Sequence, residues 1–212
     1  MVTAVLFAIV VAAAMIHAIF FLAPEPSWPR TINKTIPLVA GAGMAAHLGA
    51  PALLIGAMGL SAAGDFALSR EGEKRWFIAG LIAFLAAHLG YIALFLDLSG
   101  LQAWGATQFL AGAAFVAYGI VYLALLWKRL GDMRVPVAAY VAVILCMGLA
   151  ALTLGDPFII AGAVLFIVSD SLLAAEMFVI EERRGWIAYV IWETYIAAQA
   201  AIALPFLAQM YA

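Results

Sequence analysis

Two aspartates interrupt otherwise apolar stretches of the chain: Asp65 in Ser61-Ala-Ala-Gly-Asp65 and Asp170 in Phe166-Ile-Val-Ser-Asp170. A carboxyl group inside hydrocarbon is costly, so an intramembrane acid is a candidate functional residue. Burial disfavours the carboxylate form, and two interacting carboxyl groups titrate as a pair. One acid can then donate a proton while the other stays ionised, which is the division of roles that acid–base catalysis requires.

The composition is that of a polytopic membrane protein. Of 212 residues, 68% are hydrophobic and 10% are charged, whereas soluble domains carry about 25% charged residues. Long continuous apolar runs indicate helices rather than the strands of a barrel. They predict an all-α bundle of about eight transmembrane helices, near 2–22, 34–49, 51–69, 76–97, 102–127, 135–153, 157–179 and 186–209. The chain, 1–212, is then a single integral membrane domain.

The distribution of basic residues predicts an orientation. With eight spans, all ten Lys and Arg residues fall at the loops that follow spans one, three, five and seven. The positive-inside rule places these loops in the cytoplasm and both termini outside, and we expect a bacterial inner membrane. The net charge of -2 suggests no nucleic-acid partner.

An internal repeat is suggested by the third and seventh spans, which predicts tandem halves at 1–100 and 101–212. Gly49-Ala-Pro51 opens one span and Gly155-Asp-Pro157 opens the other, and an aspartate follows late in each. Each half then supplies one acid from its third helix, and we expect the two carboxyl groups to face a common cavity. Glycines within these spans are expected to permit close helix contact; they are Gly56, Gly64 and Gly162.

Further polar and aromatic residues recur at helical spacing near the two acids. We expect them to face inward, because lipid offers them no hydrogen-bond partner. The candidates for substrate binding are Lys34, Ser61, His88, Tyr91, Ser169, Trp192, Glu193, Tyr195 and Gln199. Each also has a structural interpretation, as an interhelical hydrogen-bonding group or a packing aromatic. No two histidines share a helix at ligand spacing, so neither a metal nor another cofactor is predicted.

Five motifs run in order from about residue 30 to residue 205. They are Lys34-x-x-Pro37, Ser61-x-x-Gly64-Asp65, Gly80-x-x-x-Phe84-x-x-x-His88-x-x-Tyr91, Gly162-Ala163-x-x-Phe166-x-x-Ser169-Asp170 and Tyr195-x-x-x-Gln199. Together they resemble the YhhN family, which includes the lysoplasmalogenases. The resemblance implies an eight-helix membrane enzyme that hydrolyses the vinyl ether bond of lysoplasmalogens to a fatty aldehyde and a glycerophospho-alcohol. It places the family's two motif aspartates on Asp65 and Asp170.

This chemistry suits two buried acids. A vinyl ether is hydrolysed by protonation at carbon, which forms an oxocarbenium ion that water then attacks. Glycosidases also pass through an oxocarbenium-like transition state, and they use two carboxyl groups. We predict Asp170 as the proton donor, because its apolar neighbours Phe166, Ile167 and Leu172 favour the neutral form. Asp65 is then the ionised partner, and the reverse assignment is the alternative. Lys34 could pair with Asp65 or with a lipid phosphate.

Other functions are compatible with the same residues. A small proton-coupled transporter also uses tandem repeats and midplane acids, and a lipid-binding protein would need no turnover. An intramembrane aspartyl protease fits less well, because Ala62 stands where the GxGD pattern of that class has its first glycine. The expected partners are a lysophospholipid substrate and membrane lipids, and the oligomeric state is left open.

Overall fold

The computed structural model describes residues 1–22, 25–70, 74–100, 103–181 and 184–208. Within these ranges the chain is all-helical, with eight α-helices and one short 3-10 turn at Gly131–Met133. The helices are α1 Val2–Phe20, α2 Trp28–His47, α3 Ala52–Leu68, α4 Lys74–Ser99, α5 Ala106–Leu126, α6 Arg134–Leu154, α7 Pro157–Phe178 and α8 Gly185–Ala208. The predicted eight-helix, all-α fold is confirmed.

Six of the described helices are long and apolar enough to cross a membrane by themselves, namely α1 and α4 to α8. Helix α3 is apolar but has only 17 residues. Helix α2 begins at Trp28, six residues before the expected start at 34. Ser27 caps it by accepting a hydrogen bond from the backbone N–H of Arg30, and Pro29 suits the first turn. The expected start was too late because the apolar run marks only the membrane-buried part of the helix, whereas the Ser27 cap sets where α2 begins.

The chain divides into two compact units. Unit 1 comprises residues 1–91 with the end of α8 from Ala203, and within it α2 packs against both α1 and α3. Unit 2 comprises residues 92–202, and within it α6 packs against both α5 and α7. The division falls near the boundary of the predicted repeat, which stays a prediction.

Glycines bring α3 and α4 close together in unit 1. A Cβ added at Gly64 would come within 2.5 Å of the Phe84 ring, and one added at Gly80 would come within 2.6 Å of the Leu68 side chain. As Gly64 precedes Leu68 by one turn and Phe84 follows Gly80 by one turn, these contacts define an antiparallel register between the two helices.

Gly162 plays the corresponding role in unit 2, between α7 and α8. A Cβ there would lie 2.9 Å from the backbone oxygen of Ala198 and 2.7 Å from the side chain of Ile202. The expectation of close contact is therefore confirmed for Gly64 and Gly162. It is wrong for Gly56, because a Cβ at that position would meet nothing within 4 Å among the described residues.

Candidate functional site

Asp65 lies on α3 in unit 1, where it is 1% exposed. Its Oδ1 atom is 3.7 Å from the Nζ atom of Lys34 on α2. The ammonium group stabilises the carboxylate form and compensates part of the cost of burying its charge. Of the two partners that the sequence suggested for Lys34, the structure thus shows Asp65.

One turn closer to the start of α2, Arg30 makes a second polar contact with α3. It is 6% exposed, its Nη1 donates to the backbone oxygen of Ser69 at 3.2 Å, and its Nε donates to the backbone oxygen of Phe21 at 3.1 Å. These oxygens lie just after the ends of α3 and α1, where backbone carbonyls lack partners within their own helix. Arg30 therefore joins the ends of three helices and fixes the segment that presents Lys34 to Asp65.

Ser61 and His88 lie on the facing sides of α3 and α4. Ser61 is fully buried one turn before Asp65 on the same face of α3. The antiparallel register places it level with His88, which is 1% exposed. The Nδ1 atom of His88 lies 2.7 Å from the backbone oxygen of Phe84, so Nδ1 carries the proton that this carbonyl accepts. Tyr91, one turn further along α4, is fully buried. Unit 1 thus gathers the predicted residues Lys34, Ser61, Asp65, His88 and Tyr91.

Asp170 lies on α7 in unit 2 and is half-buried. Its Oδ2 atom accepts a 2.6 Å hydrogen bond from the hydroxyl of Tyr140 on α6. This phenol is a neutral donor, whereas Lys34 brings a positive charge to Asp65. Each acid therefore meets a polar residue of the preceding helix, and the two residues differ in charge.

Sequence analysis missed Tyr140 and two further tyrosines beside it in unit 2. The Tyr118 hydroxyl donates to Ser171 Oγ at 2.7 Å, and the Tyr122 hydroxyl donates to the backbone oxygen of Ser171. The rings of Tyr118 and Tyr122 stack with centroids 5.7 Å apart. Their spacing of four residues on one helix was the available signal, since such residues share a face. Nothing in the sequence relates Tyr140 to Asp170 without knowledge that α6 packs on α7.

The remaining predicted residues of unit 2 form contacts between α7 and α8. Ser169 Oγ donates to the backbone oxygen of Ile191 at 3.0 Å. Tyr195 packs edge-on against Phe166 with ring centroids 5.8 Å apart, and Trp192 lies 5.9 Å from Tyr195. Gln199, one turn beyond Tyr195, is also buried.

The expectation that Glu193 faces inward is wrong. Its side chain is exposed, while its neighbour Trp192 is buried. Consecutive residues of a helix point about 100° apart, so the turn of α8 that buries Trp192 and Tyr195 carries Glu193 to the outer face. Because Glu193 does not face inward, its orientation gives no support to the predicted role in substrate binding.

Among the described residues, no group of three or more His, Cys, Asp or Glu side chains is placed to hold a metal ion. The groups that the structure places beside the two acids are the Lys34 ammonium and the Tyr140 hydroxyl, and the Ser61 hydroxyl and the His88 imidazole lie in the same unit as Asp65. Such groups transfer protons and orient water.

Comparisons with known proteins find one matching family model and several related proteins. The model of the YhhN family matches residues 29–206. The protein named Lysoplasmalogenase of Mycobacterium tuberculosis is 32% identical over 157 residues, which are 72% of this chain and 59% of that protein. Lysoplasmalogenase TMEM86B of Homo sapiens is 35% identical over 183 residues, which are 84% of this chain and 75% of the human protein. The chain thus spans 59% of the length of the mycobacterial protein. No solved structure matches the chain.

Proposed function

Because the chain belongs to the YhhN family, we propose that it hydrolyses the vinyl ether bond of a lysoplasmalogen, with Asp65 and Asp170 as its catalytic acids. The two relatives described above are named lysoplasmalogenases. The observation that supports the two roles is the difference between the partners of the acids. Asp65 is paired with the Lys34 ammonium, and Asp170 is hydrogen-bonded by the neutral Tyr140 phenol.

The reaction uses each acid twice. Asp170 gives its proton to the carbon of the double bond that is remote from oxygen, and the adjacent carbon becomes an oxocarbenium centre. A carboxylate, the role proposed for Asp65, stabilises this cation and takes a proton from the water that adds to it. The hemiacetal then collapses: Asp65 returns its proton to the departing glycerol oxygen, and Asp170 regains a proton from the hemiacetal hydroxyl. The products are a fatty aldehyde and a glycerophospho-alcohol, and both acids are restored.

The test uses purified protein in detergent, a lysolipid with a vinyl ether chain and its saturated ether analogue. We expect aldehyde only from the vinyl ether, and we expect Asp65→Asn and Asp170→Asn each to lower kcat by about 10²-fold or more. Asp97→Asn is the matched control, because Asp97 is exposed near the end of α4. Wild-type turnover that survives both changes would refute the assigned roles. A proton-coupled carrier or a lipid-binding protein would release no aldehyde in detergent.

We also propose that the protein lies in a bacterial inner membrane with both termini outside. The support is that the basic residues of the sequence all fall in or beside the connections that follow the first, third, fifth and seventh helices. With Cys146 replaced by Ala, an impermeant thiol reagent should label Asp97→Cys in intact cells and label Lys128→Cys only after lysis. The reverse pattern would invert the orientation.

A further inference from the structure

Ser61 is a buried hydroxyl residue whose hydrogen bonding differs from that of most Ser and Thr residues in the described helices. Ser and Thr side chains in helices commonly donate to a backbone carbonyl three or four residues earlier. Among the described residues, eight Ser and Thr hydroxyls do donate to a backbone oxygen: those of Thr31, Thr35, Ser69, Ser99, Thr153, Ser169, Ser171 and Thr194. Ser61 is 0% exposed, yet its Oγ atom has no hydrogen-bond partner within the described part of the chain.

A buried hydroxyl without a partner is unfavourable, and such groups in folded proteins are normally satisfied. The unused hydrogen-bonding capacity of the Ser61 hydroxyl therefore indicates a place where a polar group from outside the chain binds. The position is beside the reacting groups, since Ser61 lies one turn from Asp65 on the same face of α3.

The surrounding charges indicate what kind of group binds there. Asp65 and Lys34 form an ion pair at 3.7 Å, so their formal charges cancel and the pair selects neither a net anion nor a net cation. The serine hydroxyl can donate and accept, and the carboxylate accepts. A neutral O–H group can exchange a hydrogen bond with Ser61 and also donate to the carboxylate of Asp65.

The structure thus assigns to Ser61 and Asp65 a binding site for one hydroxyl oxygen, supplied by the free glycerol hydroxyl of the lysolipid or by the hydrolytic water. The inference rests on the proposed function for its choice of ligand. Ser61 is in this view a specificity or positioning residue, because it holds the oxygen without exchanging protons with the vinyl ether.

The experiment compares ligands that differ only in the glycerol hydroxyl. Dissociation constants are measured for a saturated ether lysolipid and its 2-deoxy analogue, with wild type, Ser61→Ala and the control Ser99→Ala. Ser99 is also buried, at 4% exposed, but donates to the backbone oxygen of Leu96. The kcat and KM values of the same proteins are measured with the vinyl ether lysolipid.

If the lipid hydroxyl binds, wild type and Ser99→Ala prefer the hydroxyl ligand by about ten-fold or more, and Ser61→Ala loses that preference. If water binds, no variant shows the preference, and Ser61→Ala lowers kcat about ten-fold or more at unchanged KM. Equal affinities together with an unchanged kcat in Ser61→Ala would overturn the site. Should wild type release no aldehyde at all, the proposed function fails, and the site then stands only if Ser61→Ala loses a preference that wild type shows.

Discussion

Removing the ammonium of Lys34 while keeping the length of its side chain tests the environment of Asp65 most directly. In Lys34→Met the Asp65 carboxylate, 2% exposed in its side chain, loses the cation 3.7 Å away. Two charges about 4 Å apart attract by ~4 kcal/mol at an effective dielectric constant of ~20. Breaking a buried pair by removing one partner costs about 3–5 kcal/mol. Because Lys34 keeps 18% of its side chain exposed, we expect the lower end, ~3 kcal/mol of unfolding free energy.

The assay is a double-mutant cycle of unfolding free energies, measured by titration with SDS in mixed micelles. The cycle contains Lys34→Met, Asp65→Asn and the double variant, with Lys128→Met as a control for an exposed lysine. The double variant buries neither charge. Its loss of unfolding free energy should therefore be about 2–3 kcal/mol smaller than the sum of the losses in the two single variants. Losses that simply add would refute the ion pair and with it the ionised role of Asp65.

Two further variants have matched controls within the chain. Gly162→Ala should destabilise the protein by about 1–3 kcal/mol, because its Cβ would lie 2.9 Å from a backbone oxygen. Gly56→Ala should be neutral in the same SDS titration, because a Cβ there meets open space. Equal losses of unfolding free energy in the two variants would contradict the close contact at Gly162. Tyr140→Phe should lower kcat about ten-fold or more at nearly constant KM, since Asp170 loses the donor that orients it. Tyr118→Phe, whose hydroxyl contacts Ser171 instead, should keep kcat, and an unaffected Tyr140→Phe would show that the hydrogen bond does not position the acid.

The sequence predicted the parts of the molecule that depend on helix periodicity and on the cost of burying charge. Eight helices and the burial of Asp65, Ser61, His88 and Tyr91 follow from those two principles. Lys34 could be matched with Asp65 because two opposite charges on adjacent helices stabilise each other when buried.

The contacts that the sequence did not predict depend on which helices pack and in which rotation. Tyr140 is a phenol in an apolar helix, which is compatible with packing, with an interfacial position or with a hydrogen bond, and only the α6–α7 contact selects the last. Glu193 was expected inside on polarity alone, but rotation of α8 is set by the larger apolar areas of Trp192 and Tyr195. Gly56 shows the same limit of pattern reasoning, since a small residue permits close approach without requiring it.

The two polar contacts between α2 and α3, from Lys34 to Asp65 and from Arg30 to Ser69, have a consequence for how the protein is inserted into the membrane. These are the two described helices that do not qualify as membrane spans by themselves, α2 because of its charged first turns and α3 because it is short. The partners of Lys34 and Arg30 on the α3 side, Asp65 and the backbone oxygen of Ser69, emerge later in synthesis than the two basic residues do. We therefore expect the translocon to release α2 and α3 as one helical hairpin, in which Asp65 compensates the charge of Lys34 and Ser69 accepts a hydrogen bond from Arg30 before either helix meets lipid.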